Sequence, residues 1–278
     1  MAHSSFLVSV NSNISGMKKI LYFSFLILLV ACSTVPLTNR QQFTAIPSSE
    51  MLSLSNQNYD AVLEESTLSK NVSYQQSVTR VGKRISKAVE EYLRQIEREE
   101  LINGYEWEFN VIQDETMNAW CMPGGKIVFY EGIMPICEDD AGVAVVMAHE
   151  VGHAVAKHSN ERLTQEMALQ MGGMALSQAL SEKKEQVQSL AMTAFGVGAQ
   201  LGVILPYSRN HENEADELGL YFMAMAGYNP TEAPVFWERM KSAGQSGVPE
   251  FLSTHPNPDS RINHLKQIMP KALEFYKK

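Results

Sequence analysis

Ten residues, HEVGHAVAKH from His149 to His158, constrain this chain more than any other stretch. They place three histidines and a glutamate inside an alanine- and valine-rich run that reads as helix. Residues four apart on a helix differ by about 40° in azimuth, so His149 and His153 project from one face, with Glu150 one position round. This is the H-E-x-x-H pattern, in which two imidazoles bind Zn²⁺ and the glutamate takes a proton from a water beside the ion.

A zinc hydrolase usually takes three protein ligands and leaves the fourth position open. His158 does not fit as the third. The H-E-x-x-H-x-x-G-x-x-H pattern needs a glycine three residues past the second histidine; here that residue is Ala156, and His158 comes five residues on. His158 is expected near the C-terminus of the zinc helix, where a positive charge is favourable. The remaining ligand is sought in SRNHENEAD, Ser208 to Asp216. Glu212 and Asp216 share a helix face, whereas Glu214 points about 200° away from Glu212. Glu212 is assigned as the third ligand and Asp216 as the carboxylate that accepts a ligand histidine's second ring N–H.

The formal charge is −8, and no basic stripe is present, which argues against nucleic acid as a partner. At the N-terminus, Met17-Lys18-Lys19 precedes the apolar run Ile20 to Val30, which Ala31-Cys32 closes. Eleven apolar residues fall short of the roughly 20 of a spanning helix, so residues 1–31 read as a secretion signal. Residues 1–16 look like an upstream start. L-V-A-C resembles a lipobox, which makes Cys32 the lipidated first residue of a mature chain of charge −10 once Lys18 and Lys19 are removed. Residues 32–50 then read as the lipidated cysteine and a tether, and Ser33 suggests a periplasm-facing position on the outer membrane. Cys121 and Cys137 are left either paired or as separate buried thiols.

Residues 51–278 read as one domain, α+β and mainly helical, with a small antiparallel sheet beside the active-site helix. Val78, Val81, Ile85, Val89 and Leu93 mark helix at three- and four-residue spacing. YEWEFNVI, Tyr105 to Ile112, reads as a strand, and Pro123-Gly124-Gly125 as the turn between two more. Helix resumes after Glu138. Thr164 to Leu205 reads as two helices around the polar SEKKEQ, packed against a core or serving as a lid. A last site-bearing helix is expected over residues 210–226, ended by Gly227.

With these residues in hand, the chain resembles metallopeptidase family 48, the gluzincins that include heat-shock membrane proteases, prenyl endopeptidases and periplasmic quality-control proteases. NAWCMPGGKIVFYEGIM, the H-E-x-x-H helix, SRNHENEADELG and THPNPDSRI occur in the family's order, and the likeness runs from about Gln57 to Ile268. The resemblance implies a gluzincin-like fold and one Zn²⁺ held by His149, His153 and Glu212. It also implies catalysis by Glu150, with Asp216 behind the ligands. It draws His255 toward the metal, as an oxyanion stabiliser or a plug, and gives Arg261 a role at the substrate. The hairpin at Gly124, Gly125 and Lys126 corresponds to the family's edge strand beside the cleft, where an extended peptide can pair.

The expected function is therefore a lipid-anchored zinc endopeptidase acting on unfolded or misfolded envelope polypeptides. The alternative is a mainly non-proteolytic, chaperone-like assembly factor whose zinc site His255 keeps latent.

Overall fold

The structure, a computed structural model, describes residues 32–244, 249–255 and 258–276. The leader 1–31 lies outside the described residues. Strands β1 (Cys32–Thr34) and β2 (Gln41–Phe43) form an antiparallel hairpin. Val35 beside it is fully buried, so the segment expected as a tether belongs to the folded domain.

Helices α1 (Ser48–Glu65) and α2 (Val72–Gln95) follow. Asn71 caps α2, its side chain accepting from the amides of Ser73 and Tyr74. The apolar stripe expected on this helix is its buried face: Val78, Val81, Ile85, Val89 and Leu93 are all at 0% exposure. Strands β3 (Glu108–Ile112), β4 (Ala119–Met122) and β5 (Lys126–Tyr130) make a sheet of order β3-β5-β4. It is mixed, since β3 runs parallel to β5 and only β4 is antiparallel to it. The central strand alternates as its position requires: Ile127 and Phe129 face the main core, and Val128 faces Tyr59 of α1. Gly124 and Gly125 both have positive φ, +94° and +81°, which permits the tight turn between β4 and β5.

After the short α3 (Met134–Cys137) comes α4 (Asp140–Val155). Asp139 caps it by accepting from the amides of Ala141 and Gly142. Apolar residues surround α4 because every residue from Gly142 to Val155 except His153 is buried. The chain then turns at Lys157, which adopts φ +56°, and α5 (His158–Ala179) begins. His158 therefore opens a new helix instead of closing the zinc helix.

Helix α6 (Glu185–Ala199), a π-helical turn (Gln200–Ile204) and α7 (Leu205–Met225) make one continuous helix from Glu185 to Met225. The wide turn precedes Pro206, which has no N–H to offer the ladder. The hairpin of α5 and α6 does not pack into the core as expected: no residue from Gln165 to Asn210 is buried. Helices α8 (Glu232–Ala243), α9 (Glu250–Thr254) and α10 (Pro258–Tyr276) complete the chain, with α10 lying against α7 and α8.

The contact that positions the site is α4 on α7. A Cβ added at Gly152 would stand 3.0 Å from the Ala215 carbonyl oxygen, and one at Gly219 would stand 2.8 Å from the His149 nitrogen. Small residues at both crossings let the backbones meet.

Candidate metal centre

His149 and His153 point from α4 toward Glu212 on α7, and His255 joins them from the end of α9. One candidate ligand atom from each of the four lies within 4.8 Å of all the others. His149 Nε2 and His153 Nε2 are 3.1 Å apart. Glu212 places Oε2 3.5 Å from His149 Nε2 and Oε1 3.4 Å from His153 Nε2. His255 Nδ1 is 3.2 Å from His149 Nε2 and 2.8 Å from Glu212 Oε2. Atoms bound tetrahedrally to zinc at about 2.0–2.1 Å stand about 3.3 Å from one another, so this donor set and spacing fit the ion.

Two of the candidate ligands, His149 and His153, are held from behind. His149 Nδ1 lies 3.1 Å from Asp216 Oδ1, which favours a ring N–H there and leaves the Nε2 lone pair free. Asp216 in turn takes two hydrogen bonds from the Arg261 guanidinium, through Nε and Nη2. Arg261 is 1% exposed and lies 3.6 Å above the Trp237 ring, so it is a structural brace with no face toward substrate. Burial alone would raise the Asp216 carboxyl; the Arg261 charge holds it below its ordinary value.

Behind His153 runs a longer chain of contacts. His153 Nδ1 is 2.8 Å from His158 Nδ1, and His158 Nε2 is 2.9 Å from Glu214 Oε2. Burial and the neighbouring imidazoles push His158 well below its ordinary pKa, so it is neutral. A neutral His158 that donates from Nε2 to Glu214 accepts at Nδ1 from His153, which leaves the His153 Nε2 lone pair free beside His149 and Glu212, where it would hold a metal. Glu214 is fixed by Arg40 Nε at 2.8 Å and by the Thr38 hydroxyl. Arg40 also forks onto both oxygens of Glu161, at 3.1 and 2.9 Å. His211 donates to Glu161 and stacks on His158, ring centroids 4.1 Å apart. Sequence reasoning passed over Arg40, Glu161 and His211. It placed Glu214 on the face opposite Glu212, which is where this relay lies.

Glu150 is buried, and its Oε1 has no hydrogen-bond partner; His255 Nε2 lies 3.5 Å from it, on an imidazole that burial keeps neutral, its pKa lowered to about 3. Desolvation lifts its carboxyl to about 7. Burial acts on Glu212 in the same direction, but the imidazoles of His153, His149 and His255 hold it well below its ordinary value. Glu150, His153, Glu212 and His255 line a cavity of about 370 Å³ that opens to solvent, with Trp120 and Cys121 along one wall.

The edge strand at this cavity is β4. Gly124, Gly125 and Lys126 do not line it: Lys126 begins the central strand and pairs with Glu108 at 2.8 Å, and a Cβ at Gly125 would strike Trp107. Their expected substrate role is corrected accordingly, as is that of Arg261. Cys121 and Cys137 are free thiols.

Residues 80–269 match the sequence profile of Peptidase family M48. The mitochondrial metalloendopeptidase OMA1 of Schizosaccharomyces pombe is 33% identical over 247 residues, covering 86% of this chain and 66% of that protein. The protein of the same name in Saccharomyces cerevisiae is 36% identical over 63% of this chain and 51% of its own length. The beta-barrel assembly-enhancing protease of Escherichia coli is 28% identical over 60% of this chain and 36% of its own length. The chain thus spans between about a third and two thirds of the length of these relatives. The outer-membrane location expected from Cys32 and Ser33 does not stand, because the relatives of higher identity are mitochondrial by name and point to mitochondria instead. With the profile covering most of its length and a His-His-Glu-His cluster able to hold zinc, the chain belongs to peptidase family M48.

Proposed function

We propose that this centre hydrolyses peptide bonds within extended segments of unfolded or misassembled polypeptides. The observation that carries the reading is Glu150: an acid without a hydrogen-bond partner at one oxygen, buried beside the zinc ligands, on the wall of an open cavity. Bound zinc would supply an activated water and a Lewis acid for the scissile carbonyl. Glu150 receives the proton that this water gives up and delivers it to the leaving amine nitrogen. A carboxyl near neutrality suits both transfers. The β4 edge beside the cavity offers main-chain hydrogen bonds to an extended peptide, and such pairing tolerates many side chains.

The test is zinc content and casein cleavage by the full chain, beside Glu150→Gln. About one zinc in both, with cleavage by the unmutated chain alone, is the expected result; zinc in both with cleavage in both would remove Glu150 from the reaction.

A second reading, a latent and mainly chaperone-like site, is favoured by His255, which stands where a fourth ligand would and would close the position that water needs. His255→Ala separates the two: increased casein cleavage supports a plug, and decreased cleavage supports a group that helps the reaction.

A further inference from the structure

Between the zinc helix and the helix that carries Glu212, the chain rises into the α5–α6 hairpin, in which no residue from Gln165 on is buried by the described residues. From Met167 to Ser181 it carries no charged residue, and none again from Gln186 to Ser208. The only charges between these arms are Glu182, Lys183, Lys184 and Glu185 at the tip, which sum to zero. Leu190 is 73% exposed, Met171 64% and Leu201 62%, and the most apolar 18-residue window of the long helix has mean hydropathy 1.5 and no buried residue. Monomeric proteins rarely leave so large an apolar surface in water.

We propose that the α5–α6 hairpin inserts into a lipid bilayer, with the metal centre at the membrane surface. Three features favour lipid over a protein partner. The arms lack charge around their whole circumference, whereas a partner chain would cover one side and leave the other in water. The 23 uncharged residues from Gln186 to Ser208 are about 34 Å of helix, against about 30 Å of hydrocarbon. The shorter arm reaches about 22 Å and is accommodated by thinning of the bilayer and by Lys183 and Lys184 extending to the far headgroups.

Glycine is the third feature. Gly172, Gly173, Gly196, Gly198 and Gly202 all lie within these helical turns, at about 1 kcal/mol each relative to alanine in water. In hydrocarbon the backbone has no solvent to pair with, and small residues let helices approach, as Gly172 does against Phe195.

At the foot of the hairpin, Tyr207, Arg162 and Arg209 stand where an aromatic ring and cations meet headgroups. Ile204 and Tyr207 also line the catalytic cavity. Glu212 follows Ser208 by four positions, about 6 Å along the helix. Substrates are then polypeptide segments lying at or emerging from the bilayer; this last step rests on the endopeptidase reading, whereas insertion does not.

The full chain with Leu190→Trp, reconstituted into vesicles of phosphatidylcholine and phosphatidylethanolamine, tests the insertion. Replacing half of the phosphatidylcholine by its dibrominated form is expected to quench the added indole at least twofold more than one placed by Lys87→Trp on the exposed face of α2. Val197→Trp serves if the first variant does not fold. Equal quenching at both sites overturns the proposal. So does a blue-shifted indole at position 190 that brominated lipid leaves unquenched, which would place a second copy of the chain on the hairpin. The readout is independent of cleavage, so it stands whether or not the centre hydrolyses peptides.

Discussion

Gly219 lies against the main chain of His149, and a Cβ there would stand 2.8 Å from the His149 nitrogen and 2.9 Å from its Cα. Both obstructing atoms are helical backbone, which cannot turn aside as a side chain would. Gly219→Ala is therefore expected to force α7 away from α4 and draw Glu212 out of reach of the histidines. The expected outcome is about 1–3 kcal/mol less stability and less than one zinc per chain. Thermal melting with metal analysis checks it; full zinc occupancy would show that the helix pair yields without disturbing the ligands.

The relay from Arg40 through Glu214 and His158 to His153 implies coupling. His158→Phe keeps the stack on His211 but cannot accept from His153, so zinc affinity is expected to fall about 10- to 100-fold. Arg40→Gln should act in the same direction, and the double variant should be little worse than His158→Phe alone. Chelator competition measures all three. Additive losses would mean that Arg40 does not work through His158.

Asp216→Asn takes from the buried Arg261 guanidinium the carboxylate that accepts from both Nε and Nη2, leaving Glu212 Oε2, 3.2 Å from Nη1, as its remaining partner. Removing one member of such a pair costs about 3–5 kcal/mol, and the variant should unfold at correspondingly lower urea. Arg261 holds the Asp216 carboxyl below its ordinary 3.8, so the stability it confers is present above that value and fades as pH falls through the lowered one. The variant should lack this acid-side slope.

Glu150 carries the opposite sign. Its carboxyl is raised from 4.5 to about 7 in the metal-free protein. Between those values the folded chain keeps a proton that the unfolded chain has released, so stability falls as pH rises through the window. Glu150→Gln abolishes the titration. Metal-free wild type should lose roughly 3 kcal/mol relative to the variant across that window, measured by urea unfolding in chelator. Parallel pH profiles would show a carboxyl that titrates normally.

Much of the centre was legible because it is written in short-range helix periodicity. His149 with His153, and Glu212 with Asp216, meet as four-residue spacing predicts. What escaped lies in long-range pairing. Arg40 sits in a polar, proline-bearing stretch that composition reads as a tether, and its partner Glu214 is 174 residues away. The strand order was equally hidden: with β3 running parallel to β5, Lys126 falls in the middle of the sheet and β4 takes the edge. The α5–α6 hairpin was read as two helices, but nothing in periodicity says that no core awaits them.

The centre also has a history in the making of the chain. It draws on Arg40, on the His149–His158 stretch, on Glu212 to Asp216, and finally on His255 and Arg261. A polypeptide leaving the ribosome holds its first histidines long before the carboxylates and the arginine that brace them exist. Assembly of the braced centre thus waits until Arg261 has been made, 112 residues after His149.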